Sequence, residues 1–398
     1  MNKLFTSLAL ALLAAPLCAQ VEPELKAGDH SKLGKQIAKW VEATIEGDTT
    51  AASEALMDLD KVVAGIDKKL KGRSALSLVA DWSLAISAGR SYATSGKTPD
   101  GDYIKKGSIQ EVDLAGWGTA SIRIPAKYEP KKVNYPVIML VCDTPTATIE
   151  TMSAEVLDNC IILAPHIQEM SLELLMKDEG KSLFLLPLGR ASRDFRIDRA
   201  RLFMVAEGEK GIDFASRYVA VLPYYFAGLA TVAGSCGDFP GKANLSLVEH
   251  GEHVDVAAAT EWCMTAAARN PYPTEFVVEL TEPWMGRAYW AQAIKFDPIG
   301  DVPAGKVARM KVAVDRSTNT ITIDGEYVYQ VMLFLNDVIV DLDQPITLMR
   351  NGKSLTYQAS RSVGTMMGIF GANIDDTVFP ASIRRIDLPI VEGETGSK

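Results

Sequence analysis

From Val112 to Pro273 the chain alternates short apolar runs with segments long enough to be helices, and few architectures accommodate that alternation. Val137–Val141, Cys160–Ala164, Leu202–Val205 and Leu229–Val232 are almost free of polar residues. A strand apolar on both faces must be covered on both faces, which points to parallel strands joined by helical crossovers. Ala120-Ser121-Ile122-Arg123-Ile124-Pro125 alternates instead, as a half-buried strand does. The pattern predicts an α/β domain over 109–272, with a mostly parallel sheet flanked by helices.

The period differs on either side. Ser31 reads as an N-cap, and Leu33, Ile37, Trp40, Val41 and Ile45 fall on one helical face. Leu56, Leu59, Val63, Ile66 and Leu70 repeat the spacing, Gly72 reads as a stop, and Ser74–Ala93 supplies a third helix. These stripes are core, so a helical domain and linker are expected over 20–108, with the linker at Ser95–Gly107. After Pro273, Phe276–Leu280, Ala308–Val314, Thr320–Ile323, Val331–Asn336 and Ile346–Met349 read as strands. Turns are expected at Asp315–Asn319 and Arg350–Lys353, and a short helix at Met366–Phe370. Residues 273–398 thus form a β-rich C-terminal domain.

Lys3, the apolar run Leu4–Leu13, and Pro16-Leu17-Cys18-Ala19 before Gln20 have the layout of a cleaved signal peptide over 1–19. The run is short for a membrane span, and Leu17 stands where a lipoprotein signal needs a small residue before its cysteine. Export to the periplasm or medium is expected. Cleavage leaves Cys142, Cys160, Cys236 and Cys263, with no CxxC pair, so buried free thiols are expected and neither metal nor cofactor. A net charge of −9 argues against nucleic acid or an anionic membrane surface as partner. A small molecule or an envelope protein is the partner class left open.

Several blocks in the middle domain occur in a telling order. Ile124-Pro125-Ala126-Lys127-Tyr128-Glu129-Pro130 with Tyr135-Pro136 precedes the first apolar strand, and Ile161–Pro165 ends the next in Ala-Pro. Arg196–Met204, Pro223-Tyr224-Tyr225-Phe226-Ala227-Gly228 and Arg269-Asn270-Pro271-Tyr272-Pro273 follow. In this order they resemble secreted esterases of the polyhydroxyalkanoate-depolymerase and feruloyl-esterase type, members of the α/β-hydrolase superfamily. The resemblance implies an α/β-hydrolase-like sheet with a serine on a sharp strand-to-helix turn, GxSxG.

In the register Met204-Val205-Ala206-Glu207-Gly208-Glu209-Lys210-Gly211, Gly208 takes the serine's place, and a glycine cannot form an acyl-enzyme. Aligning on Pro136 puts Cys142 and Asp143 where the family carries His-Gly beside its oxyanion hole, and a carboxylate there would oppose a developing anion. The family's order of nucleophile, acid, histidine leaves only His250 and His253, since His30 and His166 come too early. Either Leu245–Gly251 is the acid strand, with Asp255 one residue late, or Glu252-His253 is the remnant of the base segment.

Other candidates have plainer readings. Glu207 and Glu209 flank the turn as acids that favour a helix start. Ser235, Cys236 and Asp238 follow a strand end where α/β sheets bind ligands. Two histidines three apart at a strand end share no defined face for a metal. Trp284, Tyr289 and Trp290 read as a core-crossing strand. The sequence therefore predicts a non-catalytic pseudo-esterase with a binding or ancillary role. The alternatives are an active ester hydrolase or peptidase using unrecognised groups, and a structural envelope protein.

Overall fold

The computed structural model describes residues 22–89, 105–114, 118–131, 133–167, 170, 173–174, 177–282, 286–297, 301–373 and 375–390. The segment read as a signal peptide, most of the Ser95–Gly107 linker and Trp284 lie outside the described residues.

The chain begins with α1 (Ala27–Glu46), α2 (Thr49–Asp67) and α3 (Val79–Gly89). Helix α1 starts a turn before Ser31, which is therefore not its cap. The start is held by a tertiary partner: Asp81 of α3 accepts the Glu24 and Leu25 N–H groups at 3.0 and 2.9 Å, and His30 Nε2 lies 2.7 Å from it. The third helical stretch is split, with a 3-10 turn at Ala75–Ser77 capped by Ser74 before α3.

Strands β1 (Ile109–Asp113), β2 (Thr119–Arg123), β3 (Tyr135–Val141), β4 (Ile161–Pro165), β5 (Ile197–Glu207), β6 (Gly228–Val232) and β7 (Glu249–His253) form one seven-stranded sheet in the order β1-β2-β4-β3-β5-β6-β7. Strands β3 to β7 run parallel, while β2 is antiparallel to both β1 and β4. Helices α4 (Pro145–Glu150) and α5 (Ala154–Asn159) link β3 to β4, α6 (Asp178–Asp194) links β4 to β5, α7 (Glu209–Val221) links β5 to β6, and α8 (Val256–Thr265) follows β7. The pleat sends alternate side chains to opposite faces. Val137, Met139, Val141, Met204 and Ala206 pack under α6 and α7, while Ile138, Leu140, Phe203 and Val205 pack under α4, α5 and α8.

Leu245–Gly251 is not a strand throughout. Lys242–Leu247 forms 3-10 turns and β7 begins at Glu249. Gly241, with φ +85°, opens the turn, and the buried Asn244 side chain donates to the Ala220 and Glu279 carbonyls and accepts from the Glu279 N–H. Those bonds give the backbone an alternative to a ladder.

The C-terminal region holds β8 (Glu275–Leu280), β9 (Arg287–Ala288), β10 (Ala291–Phe296), β11 (Ala308–Asp315), β12 (Thr320–Glu326), β13 (Val328–Leu335), β14 (Ile346–Arg350), β15 (Lys353–Tyr357), α9 (Val363–Asn373) and β16 (Ser382–Asp387). Its sheets run β15-β14-β12-β11-β8 and β16-β13-β10-β9. Arg350 pairs with Lys353 across Asn351 (φ +45°) and Gly352 (φ +75°), as a tight hairpin requires. Tyr289 and Trp290 are not on a strand. They form the turn between β9 and β10, buried, with Tyr289 at φ +51° and Trp290 Nε1 donating to the Pro273 carbonyl at 2.8 Å.

The N-terminal helices bury their stripes in the same core as this region: Leu33, Ile37 and Leu59 join Met310, Leu348, Met366 and Phe370. The Trp40 ring covers Gly371 so closely that an added Cβ would stand 2.4 Å from it. Among the described residues no helix is long and apolar enough to cross a membrane.

Candidate functional site

Strands of a mostly parallel sheet end together, and ligand sites of such sheets form beyond their carboxyl ends. Here β5 ends at Glu207 and α7 begins at Glu209, so Gly208 is the whole of the strand-to-helix turn. Its backbone has φ +78° and ψ 155°, a region that residues with a Cβ essentially avoid. Space is not the constraint, because no atom lies within 4 Å of where a Cβ would stand. Gly211, one turn on, lets α7 approach β3: a Cβ there would meet the Val141 carbonyl oxygen at 3.1 Å. The turn is thus sharp, exposed and without a side chain.

Cys142 and Glu207 lie beside it on the α4 side of the sheet. Thr148 donates to Glu207 Oε2 at 3.3 Å, and burial, eased by Thr148, pushes the Cys142 thiol up to about 11. Cys142 is therefore a protonated, buried thiol rather than a nucleophile. Asp143 and Glu209 are exposed, the latter in the first turn of α7.

The histidines do not converge on Gly208. His253 is in register with Val232 and Glu207 across β7, β6 and β5, but its ring lies over Gly251 and tilts against Trp262 at 5.5 Å. Burial, and then the neighbouring His250, lower its pKa, and its Nε2 is buried without a hydrogen-bond partner. His250 faces the opposite side of the sheet, 3.4 Å from Cys236 Sγ. Asp255 caps α8 by accepting the Ala258 N–H at 2.8 Å. The chain leaves this sheet after β7, so the strand that follows α8 lies elsewhere.

One constellation has no signal in the spacing. Ser121 Oγ on β2 lies 2.8 Å from His166 Nε2 at the end of β4, and His166 Nδ1 lies 3.7 Å from Glu111 of β1. Thr119 Oγ1 is 3.2 Å from the same Nδ1, and Thr146 Oγ1 is 3.1 Å from Ser121 Oγ. The sequence of contacts, hydroxyl to imidazole to carboxylate, is that of a serine triad, although the chain order is not the superfamily's, and Ser121 is only 1% exposed. Chain order had set His166 aside, whereas the antiparallel β2 brings Ser121 across to it.

The block Arg269–Pro273 is a joint. Arg269 Nη2 donates to Asp375 Oδ2 at 2.8 Å and to Thr377 Oγ1 at 2.6 Å, Arg199 lies 3.9 Å from the same carboxylate, and the Tyr272 hydroxyl accepts the Phe379 N–H at 2.8 Å. The three acids that could gather a cation, Asp337, Asp341 and Asp343, are engaged in part by Arg361, which bonds Asp337 and Asp343.

Neither a protein-family model nor a curated protein matches the sequence. Among solved structures, one described as a thermostable esterase aligns at 12% identity over 36% of this chain and 45% of its own, with a TM-score of 0.30.

Proposed function

We propose that this chain is an exported α/β-hydrolase-type protein that has lost acyl transfer and binds a small molecule or an envelope partner. The observation that carries the reading is the turn at Gly208, which has an elbow's place and sharpness but no side chain to attack a carbonyl. The strand order with a reversed β2 supports the superfamily reading, as do the blocks from Ile124 to Pro273. Three features speak against residual esterase chemistry at the turn: exposed Asp143 beside it, His253 turned onto Trp262, and Asp255 spent on a helix cap. The N-terminal layout of Lys3, apolar Leu4–Leu13 and Ala19 supports export.

Purified full-length mature protein, assayed on short p-nitrophenyl esters with parallel fluorophosphonate labelling, tests this. The expected result is no turnover above buffer and no labelled serine. Turnover with a labelled serine overturns it. The Ser121–His166–Glu111 geometry favours one specific form of that outcome, a hydrolase using other groups. It requires a label on Ser121 that is lost in both Ser121→Ala and His166→Ala.

A further inference from the structure

Cys236 differs from the other described cysteines in exposure and surroundings. Cys142, Cys160 and Cys263 are buried in the core beneath α4, α5 and α8, whereas Cys236 is half-buried and packs against the core on the other face of the sheet. It lines a cavity of about 340 Å³ with Lys242, Leu245, Ser246, Val248, His250 and Glu252. Two elements converge on its sulfur: Ser216 Oγ of α7 lies 3.0 Å away and His250 Nε2 of β7 lies 3.4 Å away, while Lys242 of the 3-10 turn donates to the Cys236 backbone carbonyl at 3.2 Å.

Ser216 Oγ bonds the Ile212 carbonyl at 2.6 Å and shares a hydrogen bond with the Cys236 sulfur in which either group can donate, while the His250 imidazole nitrogen lies within reach of the same sulfur. Burial raises the Cys236 thiol, opposed by Ser216 and Lys242 and reinforced by Glu252, so the sulfur is a thiol until the imidazole takes its proton.

We propose that Cys236 and His250 form a thiol–disulfide exchange site at which a low-molecular-weight disulfide caps the protein. His250 Nε2 accepts the thiol proton and the Cys236 sulfur attacks one sulfur of the disulfide. A Cys236 S–S bond forms as the disulfide's own S–S bond breaks, and the departing thiolate takes the proton from the imidazolium and leaves as a free thiol. One disulfide is exchanged for another, so no further oxidant is needed. The other described cysteines sit across a sheet from Cys236, and none can resolve the adduct. The mixed disulfide is thus an end state, a cap rather than a turnover intermediate. Lys242 and Ser246 also line an adjoining cleft of about 920 Å³ between Asp238–Ala243 and Val302–Val307, so the cap enters space shared with the larger cleft. This site does not depend on the reading of Gly208.

The test is the native protein without residues 1–19, and hence without Cys18, treated with 4,4′-dithiodipyridine at pH 7, the modified peptide being mapped by mass spectrometry and the rate followed. One thiol, Cys236, is expected to react before any other. Lys242, Glu252 and His250 are the titratable groups that line the cavity with it. Cys236→Ser abolishes the fast phase, and His250→Asn slows it about tenfold or more at pH 7. First reaction at a buried cysteine overturns the proposal, whichever variants fold. So does a folded His250→Asn protein that reacts within about twofold of the wild-type rate.

Discussion

A side chain at position 208 meets no neighbour, yet the backbone it would need, φ +78° with ψ 155°, is open in practice only to glycine. Gly208→Ala is expected to cost about 1–3 kcal/mol in urea denaturation for that reason alone. A neutral result would mean that the turn relaxes. Asp375 is the opposite case, a buried residue defined by its partners. Burial alone would raise its pKa, but the Arg269 and Arg199 guanidinium groups outweigh it and hold the carboxyl at about 2. The folded value lies below the unfolded one of about 3.9. Its stabilisation is therefore complete above about pH 4 and is lost as pH falls towards 2. Asp375→Asn removes the carboxylate that Arg269 bonds and that lies beside Arg199, both buried, and is expected to cost about 3–5 kcal/mol at neutral pH. The same variant flattens the acid limb of the stability curve between those values.

At the scale of elements, the period of the sequence marked the strands and the core helices, but their ends were set by partners distant in sequence. Helix α1 starts at Ala27 because Asp81, on α3, takes up the preceding N–H groups. Strand β7 starts late because Asn244 ties Lys242–Leu247 to Glu279 of β8. Asp255, read as a triad acid, is the local cap of α8 instead. Asp255→Ala is accordingly expected to cost about 1 kcal/mol and to fray the first turn of α8 in hydrogen exchange, with any ligand binding at the Gly208 edge intact. A loss of binding with no loss of stability would restore a functional role to Asp255.

The whole molecule is divided by its cores rather than by the order of its segments. The seven-stranded sheet has its own core on each face, while α1 to α3 are joined to the β-rich region through Leu33, Leu59, Met366 and Phe370. Phe370→Ala is expected to cost about 3–5 kcal/mol. It is also expected to lower hydrogen-exchange protection in α1 and α2 together with β11 and β14, leaving β3 and β5 as they are. Loss confined to α9 would show that the helices fold independently of the strands. Arg269 and Tyr272 fasten the two parts, which gives the Arg269–Pro273 block a structural reason separate from any chemistry.

Much was legible without coordinates. Runs such as Val137–Val141 are apolar on both faces and had to be central strands, a matter of local periodicity written residue by residue, while the turn at Gly208 was what the resemblance of the surrounding blocks implied. What tertiary structure alone decided is which side chains meet. The reversed β2 sets Ser121 beside His166, the pleat of β7 sends His250 to Cys236 and His253 to Trp262, and a core shared across the chain joins its first helices to its last. A one-residue change of register inverts the face a side chain occupies, so contacts between distant elements follow from the packed sheet and not from spacing along the sequence.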